Sequence, residues 1–169
     1  MKFTKILFSL FILVIATSCG DDDDSGYVFN NANLAGTYNI VSFTGMGTET
    51  DSSSGAVEVG TSTVTASDFI NATITFNESG TITSSGSYTL TETYTEDGVT
   101  DEDVYQEDVD FNATYSITGN SITINGGIDG STVSVENFSQ NGLNLVLNFL
   151  EIDTDYRFEG SATYQLIRQ

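Results

Sequence analysis

VDFNATYSITGNSITI, residues 109–124, decides the fold. Val109, Phe111, Ala113, Tyr115 and Ile117 alternate with polar residues. A period of two puts all five on one face of a strand and scatters them around a helix. Gly119-Asn120 then reads as a two-residue hairpin turn, and Ser121 to Ile124 resumes the alternation. The same grammar continues in both directions. Toward the C-terminus, residues 132–138 present Val133 and Val135. Asn141-Gly142 is a second hairpin signal, leading into Leu143, Leu145, Leu147 and Phe149. Residues 155–167 put Tyr156, Phe158, Ala162, Tyr164 and Leu166 on one face. Toward the N-terminus, residues 80–94 carry Ile82, Tyr88, Leu90 and Tyr94, with Gly86 marking a bulge or bend. Residues 71–76 align Ala72, Ile74 and Phe76, and residues 35–44 align Tyr38 and Ile40.

From residue 34 onward no helical period competes with this pattern. About eight strands joined mainly by short links make an all-β protein. An antiparallel up-and-down β-barrel removes the edge problem of such a meander by closure, and a β-sandwich fits the strand count nearly as well. Two segments read as loops. Residues 45–67 are rich in Gly, Ser and Thr, with a short strand near residues 56–59. Residues 95–108, TEDGVTDEDVYQED, are intensely acidic.

Composition excludes much chemistry. The 169 residues hold 24 acids, 4 bases, one Cys and no His, Trp or Pro, for a net charge of −20. Without His there is no Ser-His-Asp triad and no imidazole ligand for a metal. One Cys closes no internal disulfide and builds no zinc site. So few bases cannot neutralise a phosphate backbone, so nucleic acid is not expected as a partner. Oxygen chemistry remains. Asp97, Asp101, Glu102, Asp103, Glu107, Asp108 and Asp110 could supply calcium ligands, but the EF-hand spacing is absent and a solvated loop is the plainer reading. No pair of carboxylates is marked out for catalysis. We therefore expect no enzyme, no metal and no cofactor.

Residues 1–18 read as a signal peptide. Lys2 and Lys5 precede the uncharged run at residues 6–16, which spans only about 16 Å as a helix and is short for crossing a bilayer. Its removal takes both lysines and leaves 24 acids against Arg157 and Arg168, a net charge of 2 − 24 = −22. Ala16-Thr17-Ser18-Cys19-Gly20 resembles a bacterial lipoprotein signal, in which the Cys is acylated. Ala16 stands where that signal usually has Leu, and Ala16 with Ser18 also fits ordinary signal-peptidase cleavage. Asp21, Asp22, Asp23 and Asp24 resemble the surface-export signal of lipoproteins from the Bacteroidota. Residues 19–33 are then an acidic flexible tether, and residues 34–169 are the folded domain.

Within that domain, Leu34-Ala35-Gly36-Thr37-Tyr38-Asn39-Ile40-Val41 resembles the opening strand of lipocalin-like domains, with Tyr38 in place of the usual Trp. Residues 74–81 (ITFNESGT), residues 115–122 (YSITGNSI) and residues 163–166 (TYQL) resemble later segments of the same family, in the same order. The likeness is better to the short lipocalin-like lipoproteins of the Bacteroidota. The resemblance implies a barrel whose base is plugged by Tyr38 beside Gly36, with Arg168 of the last strand against the ring. It also implies that residues 45–67 form a lid over an open mouth.

The inward aromatics Tyr88, Tyr94, Phe111, Tyr115, Phe149, Tyr156 and Phe158, with Tyr164, either line an apolar cavity or simply fill the core. Glu92 shares the parity of Leu90 and Tyr94, and a carboxylate facing inward needs a partner. Two functions follow. One is a lipid-anchored outer-membrane protein, exposed at the cell surface, that binds a small hydrophobic ligand. The other is a filled structural or adhesive module that displays acidic loops to protein or glycan partners.

Overall fold

The computed structural model describes residues 27–169 apart from residues 54, 120 and 126–130. The expectations for Cys19, Asp21 to Asp24 and Asn120 fall outside the described residues. A one-turn helix, α1 (Asn31–Leu34), precedes nine strands: β1 (Gly36–Asp51), β2 (Glu58–Phe76), β3 (Thr81–Glu96), β4 (Val99–Asp108), β5 (Asn112–Thr118), β6 (Ser121–Asn125), β7 (Ser131–Glu136), β8 (Gly142–Ile152) and β9 (Tyr156–Arg168). All pair antiparallel in a single sheet that closes on itself. Around the ring run β1, β2, β3, β5, β6, β7, β8 and β9, and β9 pairs back onto β1 from Arg168↔Tyr38 to Tyr156↔Asp51. One closed sheet is a barrel, so the sandwich alternative is set aside.

The ninth strand is β4, which stands outside the ring. Residues Thr81–Thr83 of β3 pair with β5, whereas Ser87–Glu96 pair with β4. The wall is therefore uneven. β2 has 19 residues and β6 has 5, about 60 Å against about 16 Å at strand rise. The long strands rise past the short ones as a sheet extension that β4 terminates.

Both segments read as loops belong to this extension, and both readings are corrected. β1 and β2 pair from Thr44↔Thr65 to Asp51↔Glu58, so the connection spans only residues 52–57 and no lid is formed. β4 follows β3 across the two-residue turn Asp97-Gly98, both at positive φ, the geometry of a tight hairpin. Thr makes these strands. Thr48, Thr61, Thr95 and Thr100 lie in one cross-strand row, and β-branched neighbours support one another on a pleated surface. Two glycines in the extension are covered by rings: Phe158 lies over Gly47 and Tyr94 over Gly60. The β7–β8 link is also longer than the Asn141-Gly142 signal implied. β7 ends at Glu136, and Gly142 is already the first residue of β8.

Two irregularities set which side chains face inward. A register shift in β1 between Ile40 and Ser42 changes parity, so Tyr38 and Ile40 are buried before it and Phe43 turns inward after it. In β3, Gly86 has φ +99, and a Cβ there would meet the Asn71 backbone. The β2–β3 register shifts beside it, where Asn71 is also left-handed at φ 48.

The core sits at the lower end of the ring. Leu34, Tyr38, Phe76, Ile82 and Leu166 are its most deeply buried large side chains. Tyr38 and Tyr115 each meet Phe76 edge-on, at 5.8 and 5.5 Å between centroids. The Asn30 side chain caps α1 by accepting from Asn33 N at 2.8 Å. Leu34 is thereby presented to the floor of the barrel.

Candidate functional site

Above this packed floor, on the short side of the ring, lies a cavity of about 710 Å³. Its lining is mainly aliphatic: Ile74 and Ile82 from the tall wall, Ile122 and Ile124 from β6, Val133 from β7, and Leu145 and Leu147 from β8. Each is the inward member of a half-buried strand, so the alternation that builds the barrel also makes the cavity apolar. β6 and β7 pair only at Ser121↔Ser134 and Ile122↔Val133. Beyond those pairs the two strands part, and Thr123 and Thr132 on either side of the gap both line the cavity. The seam with the fewest pairs thus borders the cavity.

The polar members of the lining are Ser121, Thr123, Thr132, Ser134 and Tyr164. Tyr164 lines the cavity, and its hydroxyl is 3.4 Å from that of Tyr88. Phe43 stacks on Tyr164 at 4.4 Å and on Tyr88 at 5.8 Å. Burial pushes the Tyr164 phenol far above its ordinary value, and the neighbouring Tyr88 pushes it the same way. Burial also raises Tyr88, against a smaller opposing effect of its hydrogen bond to Tyr164. Both therefore stay neutral near pH 7, and a neutral phenol offers a proton to a ligand oxygen.

Of the aromatics expected to line a cavity, Phe111 does so, as does Tyr164. Phe111 is 38% exposed, at the break between β4 and β5 where Ser84 N donates to Phe111 O at 2.9 Å. Tyr88 is buried beside Tyr164. Tyr115 belongs to the floor, where its hydroxyl donates to Asn77 O at 2.7 Å. Tyr94, Phe149, Tyr156 and Phe158 are not brought to the cavity. They are half-buried on the concave face of the extension. Ile74, Ile82, Val133, Leu145 and Leu147 were visible in sequence as members of alternating faces, but not as the lining of a cavity.

Three residues expected at the base do meet. The Arg168 guanidinium carbon is 4.9 Å from the Tyr38 ring centroid. Its Nη1 donates to Ala35 O at 2.9 Å, and its Nη2 donates to Tyr38 Oη at 2.5 Å, to Tyr27 Oη at 3.2 Å and to Asn33 O. Tyr38 in turn donates to Leu34 O at 2.8 Å. Gly36 leaves the space that Arg168 Nη1 occupies. Burial pushes the Tyr38 phenol up to about 12, outweighing the lowering effect of Arg168.

The concave face of the extension is a different surface. Cross-strand partners place Asp103, Glu92, Val64, Gly45, Ala162 and Leu147 in one row, continuous with the barrel interior. Glu92 does face this side, half-buried in an open sheet, and it accepts from Tyr105 Oη at 3.5 Å. Partial burial first, then Glu96 and Glu49, raise Tyr94; partial burial, then Glu49, Glu151 and Asp51, raise Tyr156. Neither Arg157 nor Arg168 balances them. Arg157 pairs with Glu159 at 2.6 Å, and Arg168 lies in the floor. Among the described residues no three carboxylates gather into a group that would hold a metal, and no helix is long and apolar enough to cross a membrane.

Comparison with models of protein families, with characterised proteins and with solved structures finds no match for this chain.

Proposed function

We propose that the barrel binds one small apolar molecule bearing an oxygen, taken in through the gap between β6 and β7. The observation that carries this reading is the cavity itself. An eight-stranded ring can be filled by its own side chains, yet this one leaves about 710 Å³ lined by Ile, Leu and Val. That size suits a drug-sized ligand. Burying about 300 Å² of apolar ligand surface would contribute about 7 kcal/mol before the costs of association. The Tyr164 hydroxyl, paired with that of Tyr88, orients the ligand's oxygen, and the surrounding carboxylates disfavour an anionic group. The residues also support a lipocalin-like lipoprotein. In this reading Cys19 is acylated and holds the barrel at the outer membrane, and Asp21 to Asp24 direct it to the cell surface.

A neutral fluorescent probe, N-phenyl-1-naphthylamine, tests the site. It should gain fluorescence with the native protein. Leu147→Trp, which projects an indole ring into the cavity, should weaken binding at least about tenfold. Absence of probe uptake, or uptake indifferent to Leu147→Trp and to Ile124→Trp, would leave the barrel as a filled support for display.

A further inference from the structure

β4 pairs with β3 alone, and its other edge has no strand beside it among the described residues. The orientation of that edge can be read. Across the Asp97-Gly98 turn, Glu96 and Val99 form the hydrogen-bonded pair of a two-residue hairpin. Val109 N donates to Gly86 O at 2.8 Å, in phase with this. Odd residues of β4 therefore bond to β3. Thr100, Glu102, Val104, Gln106 and Asp108 turn their backbone N–H and C=O groups outward.

A regular, exposed edge of this length is a template for another strand. Its charge selects which. Asp101, Asp103 and Glu107 project on the concave side, Glu102 and Asp108 on the other, and β4 contains no base. A second copy added at this edge would set five acids against five, and like charges across a ladder are unfavourable. Charge on an edge blocks self-pairing, and the same charge leaves the edge open to a strand of opposite sign.

We propose that β4 is a docking edge for an extended basic segment of another protein, which adds as a further strand. Its backbone pairs with the even residues of β4. Its Lys or Arg side chains on one face meet Asp101, Asp103 and Glu107, with the Tyr105 ring between them, and those on the other face meet Glu102 and Asp108. Main-chain pairing supplies affinity, and carboxylates on both faces supply selectivity.

The probe is a labelled ten-residue peptide alternating Lys with Val and Thr, titrated into the purified protein and followed by fluorescence anisotropy. Binding is expected, weakened by salt, and absent for the same peptide with Glu in place of Lys. A version N-methylated at every second residue keeps its charge but loses the donors of one edge, and should bind at least about tenfold more weakly. Val104→Pro removes an outward N–H without touching the β3 ladder and should cost as much. If the methylated and unmethylated peptides bind equally, the attraction is that of any polycation and strand addition is overturned. No binding at all also overturns it, as does sedimentation showing a dimer that Val104→Pro abolishes. The peptide comparison decides the matter should Val104→Pro fail to fold.

Discussion

At the scale of single residues, Arg168 does more than its charge alone implies. Its planar fork reaches the carbonyls of Asn33 and Ala35 and the hydroxyls of Tyr27 and Tyr38, while its face covers the Tyr38 ring. Its Nε is buried with no partner among the described residues, a cost the other contacts must exceed. Arg168→Met keeps the stem but strands those oxygens. It should lower unfolding free energy by about 3 kcal/mol in urea titration. Arg168→Lys should recover only part, because an ammonium cannot span the same fork. Tyr38 sets an alkaline limit. Its phenol titrates near the ordinary value of 10 when unfolded and at about 12 when folded. The folded state thus holds the proton more tightly. The stabilisation is intact below pH 10 and lost as pH rises from 10 through 12. Phenolate absorbance should show these last protons leaving together with unfolding, and Tyr38→Phe should remove part of that coupling.

At the scale of elements, the irregular positions define the barrel as much as the regular strands. Gly86 supplies a left-handed residue in β3, and its carbonyl accepts from Val109 where β4 hands over to β5. Gly86→Ala would force that backbone and push a methyl into Asn71. A loss of about 2–4 kcal/mol is expected, measured by thermal and urea unfolding. Gly86 was legible in sequence, and so were the strands that border the core, because one wet face and one dry face leave an apolar alternation. Residues 45–67 and 99–108 were not legible as strands. There the outer face is exposed, the concave face is largely only half-buried, and the apolar signal weakens. What holds them is pairing with neighbours and rows of threonine, which a scan for buried faces does not detect. The cavity was half-legible for the same reason. Aromatic positions drew attention, but the extension carries most of those rings away from the interior, and the smaller Ile, Val and Leu residues of short strands leave the space.

At the scale of the whole molecule, 24 acids against 4 bases make self-repulsion a standing opponent of compactness. The single described salt bridge, Arg157–Glu159, is exposed on both sides, and such pairs contribute little. Raising ionic strength to about 0.15 M, where the screening length is about 8 Å, should therefore raise the melting temperature by a few degrees. A neutral osmolyte that leaves charge unscreened should not reproduce the salt dependence.

Ring closure has a consequence for timing. β1 acquires its second neighbour only when β9 arrives, and Tyr38 and Arg168 are 130 residues apart in sequence. A chain still emerging from a ribosome can form hairpins, but it cannot shut the barrel. Its first strand stays an open seam, and the floor lacks its guanidinium. Such distant closure is slow. The open state persists until the final strand arrives and acts as the clasp that ends it.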